Sequence, residues 1–156
     1  MKLTMKAAMA VVCLTLTLCA GVSLGQSDEE YEIFRLVNTE RFRQRLRPLE
    51  WDDDVASLAR NYSRQMARGG FFGHYDAKGR TVVERAEQQR VRGWSKIGEN
   101  LFMCGEIDGF ERYSVRGWLK SPSHRKNMLD RQWSSTGIGV YRSNDGRIYV
   151  TQVFIA

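Results

Sequence analysis

The sequence predicts an α/β (α+β) domain, helices packed on a sheet, and three observations carry that prediction. Val55, Leu58, Ala59, Tyr62 and Met66 recur at helical spacing. Ser27 with Glu30, and Thr81 with Glu84, form two capping boxes that open helices. The runs 136–142 and 147–155 are rich in β-formers and flank Asn144-Asp145-Gly146, a hairpin turn. At 156 residues, 42% apolar and 27% charged, the chain is long enough for one domain with its own core, without metal or disulfide staples.

The first segment reads as an export signal. Lys2 and Lys6 precede an uncharged run, and its apolar heart from Ala7 to Leu18 is too short for a comfortable membrane span. Ser23 and Gly25 then stand like the small residues of a cleavage site. Residues 1–25 are therefore expected to be a signal peptide and residues 26–156 the mature domain, periplasmic or secreted, with no stable transmembrane anchor. Cys13 and Cys19 fall in the leader. Cys104 remains alone, expected as a small buried apolar residue, and no internal disulfide is possible.

Loss of the two leader lysines leaves 22 basic against 18 acidic residues, net +4. Arg41, Arg43, Arg45 and Arg47 alternate, so on a helix they spread over two sides, with Glu40, Glu50 and the Asp52-Asp53-Asp54 run close in sequence. That pattern is a solvated face. Nucleic-acid binding is excluded.

The Ser27 box opens a helix expected to reach about Leu46, with Ile33, Leu36 and Val37 inward and Pro48 beyond its end. The second helix follows the three aspartates, which suit its positive end, and Gly69-Gly70 stops it. Phe71 to Tyr75 is an aromatic loop. The Thr81 box opens a short helix to about Arg90, and Trp94 to Phe102 is extended in part. Asp108 to Lys120 is helical, and Gly117 within it marks close packing. No internal repeat or linker divides the mature chain.

Residues 26–156 hold two histidines, His74 and His124. In Ser121-Pro122-Ser123-His124 the serine can cap a helix and the proline can take its first position. His124 then sits in a first turn, where the positive helix end favours the neutral imidazole that binds a metal or acts as a base. Glu84 is the capping partner of Thr81, and Glu99 is an acid wedged in Ile97-Gly98-Glu99-Asn100-Leu101. Singly, each has a plain structural role: a cap, a loop hydrogen bond, a partner for backbone donors. No H-E-x-x-H spacing is present.

An ordered set of motifs resembles the CAP superfamily, the cysteine-rich secretory protein, antigen 5 and pathogenesis-related 1 group, also called SCP domains. The set is Asn38-Thr39-Glu40-Arg41, Leu49-Glu50-Trp51-Asp52, Phe71-Phe72-Gly73-His74, Glu84-Arg85-Ala86, Ile97-Gly98-Glu99-Asn100, Trp118 through Arg125, Gly137-Ile138-Gly139-Val140 and Tyr149 through Phe154. It covers about Tyr31 to Phe154 and is similar to a bacterial member, without the disulfides of eukaryotic ones. The resemblance implies a three-layer α-β-α sandwich with a largely antiparallel central sheet. It also implies a cleft gathering His74, Glu84, Glu99 and His124.

Two functions follow as expectations. In the first, the cleft binds a divalent metal such as zinc, weakly and exchangeably, through His74 and His124, and takes a small-molecule, lipid or protein ligand. Glu84 and Glu99 then orient the histidines. In the second, a histidine beside a glutamate activates water or a hydroxyl in an extracellular, protease-like hydrolase. Ser95 and Ser123 lie near the motifs, but neither stands in a recognisable nucleophile turn such as G-x-S-x-G. The binding domain is the preferred reading.

Overall fold

In a computed structural model, residues 26–156 are described, and the expected signal peptide, residues 1–25, lies outside them. The elements are α1 (Asp28–Arg43), β1 (Glu50–Trp51), α2 (Asp53–Gly69), α3 (Val82–Gln88), β2 (Ile97–Gly105), α4 (Phe110–Lys120), α5 (Pro122–Met128), β3 (Ser135–Arg142) and β4 (Arg147–Ile155). The four strands form one sheet in the order β1-β3-β4-β2. Only the two-residue β1 pairs parallel, with β3; β4 runs antiparallel to both neighbours.

Alternation along the strands sends side chains into two cores. Ile138, Ile148, Val150 and Phe154 meet Ile33 and Val37 of α1, Phe110, Val115 and Trp118 of α4, and Met128 of α5. On the other face Val153 and Ile155 meet Val55, Leu58 and Ala59 of α2 and Ala86 of α3. Tyr149 and Leu101 close that layer against Tyr62 and Met66. The fold is an α-β-α sandwich.

Glycines let α2 approach β3 closely. A Cβ on Gly137 would lie 2.0 Å from the Ala56 amide nitrogen, and one on Gly139 would lie 2.1 Å from that of Arg60. Ser63 fastens the contact by donating to the Gly139 carbonyl and accepting from the Thr151 hydroxyl, both at 2.8 Å. Gly117 was expected to mark close packing, but a Cβ there would meet the Phe102 ring at 3.4 Å, an ordinary contact, so the glycine is not required by space.

Three other local expectations are corrected. The helix α1 stops at Arg43 rather than near Leu46, because Arg45 turns left-handed (φ 57°). Arg45 N then donates to Phe42 O and Leu46 N to Arg41 O, which satisfies the last carbonyls. The four alternating arginines therefore do not spread over one helix: Arg41 is fully buried, whereas Arg43, Arg45 and Arg47 are exposed. Cys104 is half-buried at the edge of the α1/α4 core, and burial pushes its thiol pKa up.

Candidate functional site: a histidine cleft

The two histidines reach one cleft from different elements. His74 follows α2 in an irregular loop, Glu99 projects from β2, and His124 lies in the first turn of α5. The cleft encloses about 670 Å³ and is lined by His74, Glu99 and His124 together with Asn100, Ser123, Asn127, Lys96 and Trp133. The imidazole centroids stand 6.4 Å apart, the planes tilted by 40°.

Glu99 is almost buried and its two oxygens have different partners. Oε1 meets His74 Nδ1 at 2.9 Å, and Oε2 accepts from Arg85 Nη2 at 2.5 Å. The carboxylate can only accept, so Nδ1 carries a proton, and in the neutral ring Nε2 is the nitrogen that holds the lone pair. This is how a carboxylate fixes the tautomer of a ligating histidine. The ring of His74 remains half exposed.

Arg85, fully buried on α3, belongs to one of the sequence motifs, but its role appears only in the fold. Its Nη1 donates to the carbonyls of His74 (3.1 Å) and Arg80 (2.9 Å), so one guanidinium holds both the loop and Glu99. Tyr62 lies beneath it, and burial, the largest cause, pushes the phenol up to about 12. That phenol stays a donor and gives its proton to the Gly73 carbonyl, next to His74. Asp76 completes the loop by accepting from the amides of Lys78 (2.8 Å) and Arg80 (3.0 Å) and from Arg80 Nε (2.8 Å).

Across the cleft, Asn100 of β2 is fully buried and donates to the His124 carbonyl at 3.1 Å. Asn127 donates to Asn100 Oδ1 and to the Glu99 carbonyl, each at 3.1 Å, which ties α5 to the strand carrying Glu99. Burial first, and the facing His74 second, lower the pKa of His124. The imidazole favours its neutral form, as expected, although these are causes other than the helix end. Ser121 stands at the N-cap of α5, but its hydroxyl pairs with Ser123 Oγ at 3.3 Å rather than capping the helix.

Glu84 is placed elsewhere. It accepts from the amide of Thr81 at 2.7 Å and from the Thr81 hydroxyl, and it is not among the residues lining the cleft. The Thr81 hydroxyl is the first cause that lowers its pKa. Of the four expected residues the cleft is lined by His74, Glu99 and His124 and not by Glu84, while Arg85 stands behind Glu99. Among the described residues no group of three or more His, Cys, Asp or Glu side chains converges as a ready metal cage. Neither candidate serine meets a histidine: Ser95 donates to the Ala156 carbonyl at 3.1 Å, and Ser123 pairs with Ser121.

The sequence profile of the cysteine-rich secretory protein family (CAP) matches residues 34–154. The uncharacterized membrane protein YlbC of Bacillus subtilis (strain 168) is 34% identical over 130 residues, 83% of this chain and 35% of that protein. An extracellular protein of Bacillus anthracis containing an SCP domain has a crystal structure that superposes with a TM-score of 0.69 at 34% identity, covering 81% of this chain and 40% of that one. An outer surface protein of Borrelia burgdorferi shares the fold (TM-score 0.73, 18% identity, 84% and 94% covered). The chain thus spans well under half the length of these two Bacillus relatives. No helix among the described residues is long and apolar enough to cross a membrane.

Proposed function

Because the chain belongs to the cysteine-rich secretory protein (CAP) family, we propose that it is an exported binding domain whose cleft takes a divalent cation such as zinc between His74 and His124. The remainder of the cleft receives a small or lipid ligand. One observation carries this reading: Glu99 holds the Nδ1 proton of His74, leaving Nε2 free to ligate, while His124 faces it in a neutral-favouring environment.

The donor set fits a loosely held ion. Glu99 is engaged by Arg85 and His74, and Glu84 by Thr81, so two imidazole nitrogens would hold the ion and water would have to complete its coordination. A bound cation polarises whatever oxygen ligand enters beside it. The protein's own part is to orient His74 through Glu99 and Arg85, and to hold His124 through Asn100. The hydrolase reading is weaker because no serine hydroxyl is hydrogen-bonded to either imidazole among the described residues.

Export is supported by the leader pattern in residues 1–25 and by the extracellular description of the Bacillus anthracis relative. Amino-terminal sequencing of protein recovered outside the cytoplasm should begin near residue 26. Calorimetric zinc titration tests the cleft. The wild-type chain should take up zinc, His74→Ala and His124→Ala should each lose most of the affinity, and equal uptake by the double variant would overturn the proposal.

A further inference from the structure

The alternating arginines have two fates. Arg41 turns inward, donating from Nε to the Arg47 carbonyl at 3.0 Å and from Nη1 to the carbonyls of Met128 and Asp130, both at 2.9 Å. Arg43, Arg45 and Arg47 are exposed at and just beyond the end of α1. Phe42 beside them is 81% exposed, more than any other large apolar side chain among the described residues. Arg43 pairs with Glu40, whereas Arg45 and Arg47 have no ion-pair partner among the described residues. Arg112 and Arg116 of α4 line a groove with Arg43 and its partner Glu40.

Two features indicate a built surface rather than a loose solvated turn. Arg45 occupies the left-handed position that ends the helix, where glycine is the residue free of strain. A strained arginine at a helix end is an outlier that points toward use of its side chain. Arg90 ends α3 in the same way with the exposed Arg92 nearby, but only Arg45 has an exposed ring, Phe42, close to it in sequence. The turn is also fixed: Leu46 N to Arg41 O and Arg45 N to Phe42 O are each 2.9 Å, and Arg41 grips the Arg47 carbonyl. Cations and ring are thus presented on an ordered backbone, which lowers the entropic cost of association.

We propose that this pole, Phe42 with Arg43, Arg45 and Arg47, docks the protein on a bilayer bearing anionic phosphate headgroups. The arginines meet the phosphates, and Phe42 enters the boundary between headgroups and acyl chains. None of the four residues lines the histidine cleft, so the surface is independent of metal or ligand binding there.

Flotation with vesicles of phosphatidylcholine alone, and of phosphatidylcholine mixed with phosphatidylglycerol, tests the full chain. The wild type should bind the mixed vesicles selectively, and less as salt rises. Arg45→Gly should weaken binding about fivefold while leaving the melting midpoint unchanged or higher, since the strain is removed. Arg43→Gln, Arg45→Gly and Arg47→Gln together should weaken it about a hundredfold, and Phe42→Ser should weaken it at fixed salt. Absence of binding, equal binding to both vesicles, or variants that bind like the wild type (binding through residues 1–25 included) would overturn the proposal. So would loss of self-association in the triple variant, seen by sedimentation, without any change at vesicles.

Discussion

Arg85 lies over the ring of Tyr62, its guanidinium carbon 3.3 Å from the ring centroid. The arginine is sandwiched between an aromatic floor and the Glu99 carboxylate, and all three groups are buried. A cation so placed is stabilised by the ring's quadrupole as well as by the carboxylate. Removing it leaves a buried acid without its cation.

Arg85→Met should therefore cost about 3–5 kcal/mol in chemical denaturation. Glu99→Gln in the same chain should restore part of that loss, since the uncompensated charge is gone. A double-mutant cycle with no coupling between the two positions would contradict the arrangement.

Gly139→Ala should cost about 2–3 kcal/mol, because its methyl would meet the α2 backbone rather than a movable side chain. Gly73→Ala, with nothing within 4 Å of the added carbon, should stay within about 0.5 kcal/mol. Urea denaturation of the pair compares the two sites directly.

Asn100→Ala should lower stability by about 2 kcal/mol, since it strips partners from the His124 carbonyl and the Asn127 amide. It should also weaken zinc uptake although Asn100 is no ligand, because α5 then loses a tie to β2. Calorimetry at a temperature where the variant is folded separates the two effects. Unchanged zinc affinity would show that His124 is positioned without this bond.

Acid sensitivity should centre on Asp76. Burial acts to raise its pKa, but the hydrogen bonds and charge of Arg80 outweigh that and hold the carboxyl at about 2. A carboxylate depressed in the fold contributes stability above its ordinary value of 3.8, and that contribution disappears as pH falls through about 2. Asp76→Asn should flatten the fall of stability across this window, read from denaturation midpoints at successive pH values.

Much of the fold is legible in the residues, since periodicity and caps act locally. The Ser27 box is formed, with Glu30 N to Ser27 Oγ at 3.2 Å and Ser27 N to Glu30 Oε2 at 3.1 Å. The hairpin is almost as expected, with β3 beginning one residue early, at Ser135. Less legible is what depends on distant partners. Glu30 also receives Arg60 Nη2 of α2 at 2.6 Å, a tertiary pairing that a capping motif does not announce. The end of α1 is hidden because the left-handed position carries Arg45 where a glycine would have marked it. At the site, both histidines and Glu99 can be found from their motifs. Arg85 stands in the Glu84-Arg85-Ala86 motif, but its role does not follow from it: an arginine in a short helix looks solvated until Tyr62 of α2 and Glu99 of β2 are folded against it.

The contact at Gly137 and Gly139 has a mechanical consequence. With backbone against backbone, α2 can neither roll about its axis nor slide along β3 without a steric collision. Tyr62 rides on that helix, Arg85 on Tyr62, and the His74 loop on both. The inner wall of the cleft is thus coupled to the centre of the sheet, and amide protons of α2 and β3 should exchange through the same global opening.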